Sequence, residues 1–113
     1  MFSRTSFIQT TLFVVSIVIL IGSIQHAYSA DLTAGKTAAQ QCIACHGPQG
    51  ISLNPVWPNL AGQKKDYLIK QLKAFQEDTR QDPLMTTISK NLNSTDLENI
   101  TAYFSSLKIE IKE

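Results

Sequence analysis

Residues 42–46 read Cys-Ile-Ala-Cys-His, and they hold both cysteines of the 113-residue chain. On a helix, positions three and four apart share a face, so Cys42, Cys45 and the neighbouring His46 would sit together. A plain disulfide across so short a loop would restrict the unfolded chain little. A dithiol of the thioredoxin kind needs strands around it, and no segment here sustains strand-like alternation. A structural zinc takes four ligands, and beyond residue 29 the chain offers only these two cysteines and this histidine as soft ligands.

The flanking segments place the motif. Upstream, "DLTAGKTAAQQ" is rich in helix formers and predicts one helix from about Thr33 to about Cys45, closed by Gly47. Downstream, residues 47–62 contain three prolines and read as a structured loop. A loop of this length is unusual in a small domain unless it is functional. Residues 63–80, "QKKDYLIKQLKAFQEDTR", predict a helix whose apolar stripe is Leu68, Leu72 and Phe75. Lys65, Lys70, Lys73 and Glu77 make its solvated face. Lys64 and these lysines are read as facing water rather than an acidic partner. Pro83 breaks the chain, and "TTISKNL" predicts one short helical turn. The last helix starts at Asn93 as N-cap, with Asp96 in its first turn and Lys108 near its end. Its buried face is Ile100, Tyr103, Phe104 and Leu107. The class expected is all-α.

The N-terminus indicates a compartment. Arg4 precedes an apolar run from Leu12 to Ile24, and Ala27 and Ser29 follow as small residues two apart. This is the pattern of a secretory signal peptide, residues 1–29, cut after Ser29 with Ala30 as the alternative site. The run is shorter than the ~20 residues that span a bilayer; an uncleaved membrane anchor is the other reading. Residues 30–113 then form one domain, expected in the periplasm or, if anchored, on the outer face of the inner membrane. With Arg4 set aside, nine basic residues balance nine acidic ones. Nothing in that balance points to nucleic acid or a membrane surface. So short a chain needs a staple or a cofactor to complete its core.

Cys-x-x-Cys-His outside the cytoplasm is the signature of c-type haem attachment. Cys42 and Cys45 would bond the two vinyl groups along one porphyrin edge, and His46 would sit beneath the iron. One motif implies one haem per chain. For the sixth position no histidine remains once His26 leaves with the signal peptide, and Met85 is the only methionine after Met1. Elimination therefore selects Met85, with Lys90 as an alternative that would have to lose its proton. Met/His ligation suits cytochromes c and raises the potential.

"CIACHG" (42–47), "PNLAGQ" (58–63), "YLIKQLKAF" (67–75) and "DPLMTTISKNLNSTDLENITAYFSSL" (82–107) resemble the class I cytochromes c, nearest the bacterial c4, c5 and c553-like group. The resemblance runs from about Leu32 to Leu107. It implies a small fold of three to four helices around one covalently bound haem, and a single-domain relative of the tandem c4 type. It also places the ligand methionine just before the last helix, where Met85 lies. Pro58 resembles the loop proline whose carbonyl accepts the proximal imidazole's Nδ1–H. Gly35 and Tyr103 resemble the contact where first and last helices cross. Leu60, Leu72, Ile88 and Leu92 are expected as pocket walls. Trp57, Tyr67 and Arg80 are candidate partners of the propionates. The expected function is transfer of single electrons between redox proteins through weak, brief docking. An iron closed on both sides, with no second histidine for acid–base work, argues against an enzyme. A subunit of a larger oxidoreductase, or a haem enzyme or sensor with a displaceable Met85, are the alternatives.

Overall fold

The computed structural model describes residues 29–110, and these form five helices with no strand among the described residues. The proposed signal peptide lies outside the described residues, except for its last position, Ser29. Among the described residues no helix is long and apolar enough to cross a membrane.

The first helix of the sequence reading is two. Helix α1 spans Leu32–Ala38 and α2 spans Gln40–His46. Asp31 caps α1, its carboxylate accepting from the N–H groups of Thr33 at 2.8 Å and Ala34 at 3.0 Å. The joint is Ala39, fully buried. There the Cys42 N–H reaches back only three residues, to the Ala39 carbonyl at 2.8 Å. That tightened turn separates α1, which packs on the last helix, from α2, which carries the cysteines. Alanine and glutamine give no local signal of such a break, so packing sets it. Gly47 ends α2 at φ 86°, where a side chain would put its Cβ 1.9 Å from the Ile51 carbonyl oxygen.

Residues 47–64 form the loop. Its neck is closed by the N–H groups of Leu60 and Ala61, which donate to the Gly50 carbonyl at 2.8 and 3.0 Å. The Gly62 N–H ties it to the Phe104 carbonyl at 2.9 Å. Helix α3 spans Lys65–Gln76 and buries Leu68 and Phe75. Lys65, read as solvated, is half-covered and pairs with Glu98 at 2.6 Å; a pair so exposed is worth at most ~1 kcal/mol. After α3, Asp78 adopts φ 56°, a left-handed conformation that aspartate tolerates better than most residues.

The single turn expected after Pro83 is an eight-residue helix, α4, Pro83–Lys90. Proline suits the first helical position, because its missing N–H would be unpaired there anyway. Asp82 caps it through Leu84 N–H at 3.0 Å and Met85 N–H at 2.8 Å. Helix α5 spans Ser94–Ser106, and Asn93 and Asp96 form a reciprocal capping box. Lys108 lies beyond its end. Helix α5 is the hub against which α1 and α3 pack, and α4 packs on α3. At the α1–α5 crossing Gly35 is essential: a Cβ there would fall 2.1 Å from the Asn99 carbonyl oxygen and 3.0 Å from the Tyr103 Cβ. The Asp31 N–H also donates to Asn99 Oδ1 at 2.9 Å. The buried core is Ala39, Leu68, Leu92, Leu97, Ile100 and Phe104.

Candidate functional site

A cavity of about 370 Å³ opens between α2, the 56–60 loop, α3, α4 and α5. That volume is in the range of small-molecule sites, roughly 300–1,000 Å³. Cys42, Cys45, His46 and Pro58 line it, and so does Met85 from α4. The four expected walls, Leu60, Leu72, Ile88 and Leu92, and the three expected rim residues, Trp57, Tyr67 and Arg80, line it as well. Lys90 does not; its ammonium pairs with the Asp78 carboxylate at 2.7 and 2.9 Å on the surface.

Helix α2 presents the motif. Both thiols are free and half-buried. Burial, and then the neighbouring Cys45, pushes the Cys42 thiol up to about 11, so near neutral pH it is a protonated thiol. His46 is buried, and its Nδ1 lies 2.7 Å from the Pro58 carbonyl oxygen. That oxygen can only accept, so Nδ1 carries a proton, and in the neutral ring it is Nε2 that holds the lone pair. The bond also fixes the ring plane. On α4, the Asp82 cap sets the helix start, and Met85 sits in the first turn with its N–H held by that cap.

The residues fit a haem. Two thiols, an imidazole with an available nitrogen, and a thioether all border one largely apolar cavity. A thioether is a good haem-iron ligand, and imidazole with thioether is a known cytochrome pairing. Sequence reasoning did not assign Leu68, Phe75, Ile100 and Phe104 to this wall, although it read them as buried stripes. Each helix's buried stripe serves both the core and the cavity. Gln71 and Thr101 were missed too. Thr101 satisfies its hydroxyl on the Leu97 carbonyl at 2.6 Å, which lets a polar residue sit in an apolar wall. The aspartate before a proline–leucine–methionine run was the available signal for the α4 cap.

The family model described as cytochrome c matches residues 32–108. Cytochrome c4 of Pseudomonas aeruginosa is 40% identical over 98 residues, which cover 86% of this chain and 49% of that protein. Cytochrome c-554(548) of Halomonas halodenitrificans is 38% identical over 81 residues, covering 69% of this chain and 98% of that one. The crystal structure of reduced recombinant cytochrome c4 from Pseudomonas stutzeri superposes with a TM-score of 0.66 at 39% identity, covering 71% of this chain and 47% of that one. The chain thus spans about half the length of the cytochrome c4 proteins it matches, and nearly all of the cytochrome c-554(548).

Proposed function

Because this chain belongs to the cytochrome c family, we propose that it carries single electrons between redox proteins, with one haem held by Cys42 and Cys45 and ligated by His46 and Met85. A bound haem supplies one-electron exchange between ferric and ferrous iron. The chain's own residues do the rest. The observation that carries the reading is the juxtaposition of the Cys42–Cys45–His46 motif and Met85 on one cavity, with the imidazole set by Pro58.

Cys42 and Cys45 tether, and the Pro58 carbonyl orients His46 and strengthens it as a donor. Met85 would supply a thioether as the second iron ligand, which favours the reduced state. With an imidazole and a thioether both given to the iron, no ligand position would be left for a substrate, which favours a carrier over a catalyst. The near-balance of charge fits partners met briefly rather than steered from afar. Export with residues 1–29 as a cleaved signal peptide, and residence in the periplasm, belong to the same proposal. They are supported by the N-terminal pattern and by the need for attachment outside the cytoplasm.

The test uses the exported full chain. Reduced wild-type protein should bind carbon monoxide poorly, and Met85→Ala should bind it readily, with a lowered potential and covalent haem retained. Cys42→Ala with Cys45→Ala should carry no haem that survives a denaturing gel. Ready carbon monoxide binding by the wild type would overturn the closed-carrier reading.

A further inference from the structure

Among the described residues that line the cavity, Arg80 is the only lysine or arginine. Its position is fixed from two directions. The left-handed turn at Asp78 brings the chain back over the end of α3, and the Arg80 N–H donates to the Ala74 carbonyl at 3.0 Å. Asp78 itself is tied to Lys90 of α4. The side chain then lies with its guanidinium 4.6 Å from the centre of the Phe75 ring, and Nη1 donates to Gln71 Oε1. Gln71, Phe75 and Arg80 all border the cavity, and Arg80 is exposed at its opening.

We infer that Gln71 is a positioning residue: with the Phe75 ring it holds Arg80 across the cavity opening as the one fixed cation that receives a carboxylate of the bound haem. This rests on the haem reading above. A guanidinium has five N–H donors, and Gln71 engages Nη1 only. The remaining donors are available to a carboxylate in the paired geometry that arginine favours. The neutrality of Gln71 matters. A glutamate there would hold Arg80 equally well but would cancel its charge. The amide oxygen fixes the geometry and leaves the field for the ligand.

The consequence is in the pH dependence of the potential. The titratable side chains around the cavity are Cys42, Cys45 and His46 on α2, Tyr67 on α3, and Arg80 and Asp82 between α3 and α4; α4, α5 and the 56–60 loop contribute none. Asp82 is engaged as the α4 cap. A carboxylate paired with Arg80 stays ionised in both oxidation states near neutrality, so the potential is flat there. Without the pair its pKa rises. The ferrous state, with one positive charge fewer, then binds the proton more tightly than the ferric state, and the potential falls as pH rises between the two pKa values.

Redox titration of the holoprotein from about pH 5 to pH 8, above the ordinary carboxylate range, decides the matter. The wild type should be flat, Arg80→Gln should slope downward with pH, and Gln71→Ala should slope less in the same sense. Arg80→Lys, charged but without the fork, should fall between wild type and Arg80→Gln. Gln71→Glu should lower the potential throughout. Covalent haem and poor carbon monoxide binding are checked in each variant. If both hold while Gln71→Ala and Arg80→Gln stay as flat as wild type, the positioning role fails and the carrier reading stands. A sloping wild type also overturns it, and a chain that takes no covalent haem overturns both.

Discussion

Gly35 shows how much one missing side chain decides. Its Cα faces the α5 backbone so closely that a methyl group would overlap the Asn99 carbonyl. Backbone cannot swing aside as a side-chain tip can. Gly35→Ala should therefore lower the stability of the holoprotein by at least the ~1–3 kcal/mol typical of overpacking, read as a drop in denaturation midpoint with an unchanged haem spectrum. Unchanged stability would mean that α1 and α5 separate freely. The pairing of Gly35 with α5 was readable through the likeness to class I cytochromes c, whereas the Asn99 carbonyl as the nearest obstacle was not. A sequence carries side chains, and this obstacle is backbone. Counting singled out Met85, because no competing thioether or imidazole remained in residues 30–113, and the structure brings it to the cavity that Cys42, Cys45 and His46 line. Gln71 was unreadable, since a helical glutamine gives the same pattern facing water or facing arginine.

Helix α4 behaves as a mount for Met85, and its weakest point is its start. Eight residues hold few internal hydrogen bonds, and one carboxylate oxygen of Asp82 serves two of the orphan N–H groups. Asp82→Ala should cost about 0.5–2 kcal/mol. It should also raise carbon monoxide binding in the reduced protein, because Met85 loses the acceptor on its own N–H. Asp82→Asn should restore both. Equal carbon monoxide binding in Asp82→Ala and wild type would show that the cap does not hold Met85. The helices α3 and α5 were readable in place, and Leu68, Phe75, Ile100 and Phe104 are buried as their apolar spacing predicts; Leu97 was missed, and Leu72, Tyr103 and Leu107 are only partly buried. Helix α4 reads too short in the sequence because Pro83 has the look of a breaker, when its neighbour Asp82 makes it a starter. The division of α1 from α2 was invisible for the opposite reason: every residue around Ala39 favours helix, and only the packing of Ala39 and the separate duties of the two halves bend the chain.

At the scale of the whole molecule, the core and the cavity wall are largely the same residues. Leu68, Leu92, Ile100 and Phe104 belong to both. An emptied dry cavity costs ~24 cal/mol per Å³. For the 370 Å³ here, that is at most about 9 kcal/mol, since the cavity opens to solvent at Trp57 and Tyr67. Small domains hold only ~5–15 kcal/mol in all. Because so small a core also lacks the apolar faces of the haem, the chain without haem should be largely unfolded, with weak helical circular dichroism and no cooperative thermal transition; a sharp native-like transition would refute this. The crossing of α1 and α5 stands apart from that dependence. Gly35, Asn99, Tyr103 and the Asp31–Asn99 hydrogen bond lie outside the cavity lining. In time-resolved terms, amide protons near Asn99 in the haem-free chain should exchange with deuterated water more slowly than those of α4. The two ends of the domain would then meet first, and the cofactor would order what lies between them.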